Sequence, residues 1–141
     1  ARQNPEAFNL MVANTEHHLG CLYGDLGRYK ETEKCLIEAL NIKKNLAKTN
    51  PEAFLPELAA SQNILAVLYH RLNRSEEGKR WFSSSWYSKA CFESLKKNKK
   101  KSLGLLKNAI EFDEKYRKLA KIDENFDNIR DSKEFRKLIE K

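Results

Sequence analysis

The chain has 141 residues, 40% hydrophobic and 33% charged, with 27 Lys/Arg against 20 Asp/Glu for a net charge of +7. That length is one domain's worth of chain, enough to bury a core by packing several helix pairs. No apolar run approaches the roughly 18 residues of a membrane span, and no signal-peptide pattern opens the chain.

Charge is uneven. Residues 1–70 hold seven basic and eight acidic side chains, whereas residues 71–141 hold twenty and twelve. The excess is densest over Lys96, Lys97, Lys99, Lys100 and Lys101. Such a run suits a polyanion or simply solvates a turn. Cys21, Cys35 and Cys91 are odd in number and lack metal-ligand spacing, so they read as reduced thiols in a cytoplasmic protein. Catalysis has little support: His17 and His18 are adjacent rather than four apart, and no phosphate loop or nucleophile elbow occurs. No cofactor or metal is expected.

Asn4-Pro5 reads as an N-cap followed by proline in the first turn. Phe8, Met11, Val12, Thr15, Leu19, Leu22, Tyr23 and Leu26 then recur at helical spacing, and Gly27 ends the helix in a left-handed turn. A second helix spans Tyr29 to about Lys48. Its buried stripe is Tyr29, Thr32, Cys35, Leu36, Ala39, Leu40, Lys43 and Leu46. Asn50-Pro51 restarts the cycle, with Pro56 either in an irregular first turn or at the true start of a helix over Leu58 to Leu72. Asn73 takes the place of Gly27 in the next turn. Ser83-Ser84-Ser85 then offers a possible break, but the pattern favours one continuous helix from Ser75 to about Lys96. The lysine run makes a turn, Ser102 to about Lys121 is a helix through Leu103, Leu106, Ala109, Ile110 and Leu119, and a closing helix runs over about 132–140.

The chain also repeats itself at an offset of 46 residues. Asn4-Pro5-Glu6-Ala7-Phe8 returns as Asn50-Pro51-Glu52-Ala53-Phe54, and Ala13, Leu19, Leu22, Tyr23, Leu26, Arg28 and Glu31 return as Ala59, Leu65, Leu68, Tyr69, Leu72, Arg74 and Glu77. A period of this size points to stacked supersecondary units. Leu19-Gly20, Tyr23, Gly27, Tyr29, Thr32, Leu36 and Ala39, with Leu65-Ala66, Tyr69, Asn73, Gly78, Phe82 and Ser85, resemble the tetratricopeptide repeat family in a long-helix variant. Trp86, Ala90, Ser102, Leu106 and Ala109 match a third unit, which departs from the family at Lys89 and Glu93.

The resemblance implies an all-α fold of antiparallel helix-pair repeats stacked as a right-handed solenoid. It implies a single domain over 1–141, with units at about 4–48, 50–82 and 83–121. It implies a non-catalytic module that binds a peptide or helix of a partner protein in a concave groove lined by first-helix residues. Those positions are Asn14, His17, Cys21 and Gly24, then Ala60, Asn63, Val67 and His70, then Tyr87, Cys91 and Ser94. A Lys/Asn/Arg clamp found in some relatives is missing, with His17, Cys21 and Ile64 in its places. The alternative is RNA or other polyanion binding through the Lys96–Lys101 turn. The aromatic cluster around Trp81 and Trp86 fills core or serves self-association.

Overall fold

The computed structural model describes residues 5–140, so Asn4 lies outside the described residues. Among the described residues seven α-helices follow one another: α1 (Pro5–Asp25), α2 (Tyr29–Thr49), α3 (Pro51–Arg71), α4 (Ser75–Leu95), α5 (Lys99–Phe112), α6 (Lys115–Ile122) and α7 (Lys133–Ile139). A 3₁₀ turn, Glu124–Phe126, lies between the last two. Consecutive helices pack against each other. The chain divides into two compact units, Ala1–Ser61 and Gln62–Lys141, with the division inside α3.

Three of the connections are the same turn. Gly27, Asn73 and Lys97 each adopt positive φ, at 74°, 59° and 63°. In each, the residue after the left-handed one donates its N–H five residues back: Arg28 to Tyr23, Arg74 to Tyr69, and Asn98 to Glu93, at 2.8–2.9 Å. The left-handed residue donates three back, to Gly24, His70 and Ser94. This Schellman pattern satisfies the last carbonyls of one helix and reverses the chain into the next. Five residues beyond each left-handed residue come Thr32, Gly78 and Ser102, all buried. A small side chain there lets the second helix start close against the first. Arg28 and Arg74 repeat one further device, each lying over the tyrosine five residues back and pairing with the glutamate three ahead.

In the first unit, α2 buries Thr32, Cys35, Leu36, Ala39, Leu40, Lys43 and Leu46, and Tyr29 alone of the expected stripe is exposed. Gly20 sets the spacing to α1. A Cβ there would lie 3.1 Å from Leu36 Cγ and 3.2 Å from Cys35 Cβ. The α1 stripe differs from expectation: Phe8, Met11, Leu19, Leu22 and Leu26 are exposed, and only Ala13 and Gly20 are buried. The small residues, not the large ones, face α2. The third helix begins at Pro51, not Leu58. Asn50 Oδ1 accepts from the Ala53 N–H at 3.3 Å, capping it, and Pro56 lies inside the helix, where it has no N–H to give the Glu52 carbonyl.

In the second unit, α4 is continuous through Ser83-Ser84-Ser85, so residues 82 and 83, the expected limit between repeats, lie in mid-helix. The serines serve close packing. Ser83 Oγ donates to the Ala109 carbonyl at 2.9 Å, and Ser102 Oγ donates back from α5 to the Ala90 carbonyl at 2.7 Å. Ser88 donates to Gln62 Oε1 at 2.8 Å. Gly78 lets α4 approach α3, where an added Cβ would be 3.1 Å from the Ala66 carbonyl oxygen. The helix expected over Ser102 to Lys121 starts earlier and breaks at Asp113. There Asp113 Oδ1 captures the Lys115 N–H at 3.1 Å, a local bond that competes with the helical one. Leu119, expected inward, is exposed as a result of the new helix direction. Phe126 and Phe135 fill the closing core, while Arg130 caps the end of α6 through the Ala120, Lys121 and Asp123 carbonyls.

Two stability changes follow. Lys97→Gly removes the cost of a left-handed L-residue and raises the unfolding free energy by about 1 kcal/mol. Gly20→Leu overpacks the α1–α2 contact and lowers it by roughly 1–3 kcal/mol. Urea titrations followed by circular dichroism check both; a destabilised Lys97→Gly chain or an unchanged Gly20→Leu chain contradicts the packing described.

Candidate functional site

Positions 14, 17, 21 and 24 fall on one face of α1, and positions 60, 63, 67 and 70 on one face of α3, by helical periodicity. Asn14 and Cys21 are exposed, and His17 and Gly24 are half-buried. On α3, Ala60, Val67 and His70 are exposed, and Asn63 is half-buried.

Within the first unit a polar cluster gathers about His17. Lys43 of α2 is buried, and its Nζ donates to Ser61 Oγ at 3.0 Å. Burial holds the Lys43 ammonium below its ordinary pKa, partly offset by the Glu57 carboxylate and the Cys21 thiol. Burial, then the Lys43 charge, then His18 lower the pKa of His17. His17 Nδ1 and Glu57 Oε2 are buried with no hydrogen-bond partner among the described residues. Two unsatisfied buried polar atoms beside a buried cation are costly in folding terms and well suited to polar groups of a ligand. Sequence reasoning placed Lys43 on the buried stripe but did not join it to Glu57 and Ser61. The available signal was a lysine at a core position, which demands a polar neighbour from the adjoining helix.

Tyr87, Cys91 and Ser94 do not reach a surface. All three are buried, which corrects the expectation that they line a groove. The Tyr87 hydroxyl donates to Asp123 Oδ2 at 2.7 Å, with Cys91 Sγ 3.7 Å from the same oxygen. Burial, and then the Asp123 charge, push the Cys91 thiol pKa far up, so it is an inert core thiol.

The lysine run is split by the fold. Lys96 and Lys97 lie in the turn, and Lys99, Lys100 and Lys101 open α5; all five are exposed. Lys96 Nζ sits 4.9 Å from the Phe92 ring centroid, Lys99 pairs with Glu134 at 3.3 Å, and Lys101 pairs with Glu93 at 3.5 Å. A shallow depression beside it is lined by Asn98, Lys100, Lys101, Gly104, Leu105, Lys107, Asn108 and Glu111. Trp86 stacks with Phe82, centroids 6.2 Å apart, and meets Phe112 at 4.9 Å, while Trp81 is half-buried.

The lowered His17 pKa carries a pH dependence. Between the folded value and the unfolded one near 6.5, the unfolded chain binds more protons, so stability is complete above that range and falls as pH drops through it. Chemical-denaturation midpoints on either side of it should show this loss, and His17→Gln should reduce it. An equal loss in both chains contradicts the burial of neutral His17.

Among the described residues, no helix is long and apolar enough to cross a membrane, and no group of His, Cys, Asp and Glu has the arrangement of a metal site. Comparison with curated proteins and with solved structures finds no match. The sequence model of the tetratricopeptide repeat matches residues 12–51, from within α1 through α2 to the first residue of α3. Repeats of this family are in general non-catalytic scaffolds that bind proteins. The α1–α2 pair is thus similar to a tetratricopeptide repeat, in an all-helical chain whose consecutive helices pack against each other.

Proposed function

We propose that this chain is a non-catalytic protein-interaction module that binds a peptide or helix of a partner protein along its first-helix faces. The observation that carries the reading is the tetratricopeptide match over residues 12–51, in the unit where His17 and Glu57 keep unsatisfied polar atoms beside Lys43. The α1 face offers Asn14, His17 and Cys21. The α3 face offers Ala60, Asn63, Val67 and His70. Asn14 and Asn63 each bring an amide donor and acceptor suited to an extended backbone, while Val67 and Ala60 give apolar contact. Free thiols at Cys21, Cys35 and Cys91 fit a cytoplasmic setting.

A second reading rests on Lys97 and Lys100, for which no ion pair is seen among the described residues. These side chains, with the depression beside them, would hold an RNA or other polyanion through phosphate contacts.

One experiment separates the two. Peptides selected from a displayed library on the intact chain are titrated calorimetrically against it, against His17→Ala/Asn63→Ala and against Lys97→Glu/Lys100→Glu. An oligouridylate is titrated in parallel over a range of salt. The first reading expects peptide affinity to fall about tenfold or more in the His17/Asn63 variant and to hold in the lysine variant. Peptides indifferent to the His17/Asn63 change, with steeply salt-dependent oligouridylate binding lost in the lysine variant, would replace it with the second.

A further inference from the structure

The largest unexplained feature is the outer side of α1. Ala13 and Gly20 face α2, and on the side turned away from them run Phe8, Met11, Leu22 and Leu26, at 51%, 67%, 54% and 65% exposure. Their spacing of three, eleven and four residues keeps them in one stripe. The internal repeat shows that this is not how the stripe is used elsewhere in the chain. Phe54 and Leu68, the counterparts of Phe8 and Leu22 at the 46-residue offset, are only 6% and 7% exposed. A contiguous apolar stripe of this kind marks a surface built to be covered.

Charge indicates what covers it. From Pro5 to Asp25, α1 has Glu6, Glu16 and Asp25 and no Lys or Arg. Asp25 flanks the Leu22 and Leu26 end of the stripe, while Glu16 is turned toward α2, where its carboxylate reaches the Cys35 thiol. Pairing α1 with a second α1 would set carboxylates against carboxylates. The complement is present in the same chain. Among its residues 115–122, α6 has Lys115, Arg117, Lys118 and Lys121 and no acidic residue. Tyr116 and Ala120 are its buried side, and Leu119 and Ile122 are exposed on the other. Lys118 lies on that same side, while Lys115 pairs with Asp113 at 3.6 Å and sits over the Tyr116 ring. Ile122 is 79% exposed, the highest value among the large hydrophobic residues described. Two α6 faces together would confront lysine with lysine.

We propose that a second copy of this chain covers the Leu22 and Leu26 end of the α1 stripe with its α6 face, in a heterologous contact between unlike surfaces. Leu119 and Ile122 pack on Leu22 and Leu26, and Lys118 meets Asp25. Each copy that gives its α6 keeps its own α1 available, so the contact propagates from dimer to larger species or closes into a ring.

The test is sedimentation of the full chain from low micromolar to submillimolar concentration, with circular dichroism confirming that each variant is folded. Wild type should gain mass with concentration, and more weakly at high salt. Leu22→Lys/Leu26→Lys and Leu119→Glu/Ile122→Glu should each weaken association by about tenfold or more. Mixed in equal amounts, the variants should form a one-to-one dimer and nothing larger, because each retains the face the other has lost. All the substituted positions are exposed. Should a variant unfold, Leu22→Ser/Leu26→Ser or Leu119→Ser/Ile122→Ser replaces it. A wild type that stays monomeric overturns the proposal, leaving the stripe to another protein or to a further segment of chain. Association lost in the α1 variant but untouched in the α6 variant overturns it in favour of another occupant, as does a mixture that fails to recombine.

Discussion

A tightly closed hairpin between successive helices is the constraint from which the rest follows. The turn must reverse the chain in three residues while leaving no carbonyl at the helix end unsatisfied. The left-handed residue and the five-back hydrogen bond meet both demands at Gly27, Asn73 and Lys97. Reversal that tight brings the first turn of the next helix against the last turns of the previous one. Only small residues tolerate that approach, which is why Thr32, Gly78 and Ser102 occupy the same place after each turn. The arginine over tyrosine, repeated at Arg28 and Arg74, covers the outside of two of these turns.

Polar atoms in the second unit's core are handled by a related economy. The α4–α5 interface is rich in serine, and the Ser83 and Ser102 hydroxyls donate to carbonyls of the facing helix rather than to one another. Such bonds satisfy the hydroxyl without needing a second side chain at a fixed place. They hold the pair in register while keeping it close, which large aliphatic side chains would not. The first unit accepts a different compromise. There a buried lysine, a carboxylate oxygen and an imidazole nitrogen are left with incomplete partners, and that local cost lies next to the face where partner contact is proposed.

Most of the helical pattern was legible in the sequence. The 46-residue offset, the glycine and asparagine turns and the α2 stripe each rest on local rules of periodicity and capping, and these rules act on neighbours in the chain. The lysine run was legible as a turn, though not that Lys97 would take the left-handed place usual for glycine or asparagine. The serine run had an ambiguous propensity, and the continuous helix that its pattern favoured is the one that forms. Asp113 broke a periodic stretch through a single side-chain bond. For the site, Asn14, Cys21, Val67 and His70 emerged on the surface as their helix positions imply, whereas Tyr87 and Cys91 did not. The helix bearing them is covered by residues up to 36 positions later in the chain.

By itself, then, the sequence determined that this is an all-helical repeat, where its helices turn, and which stripe of α2 is buried, because each depends on residues within a few turns of one another. Only the tertiary structure decided which apolar stripes are covered. Phe8 and Phe54 each close an identical Asn-Pro-Glu-Ala-Phe stretch, yet one is exposed and the other buried. Burial is a property of what lies across the interface, and no local pattern carries that information.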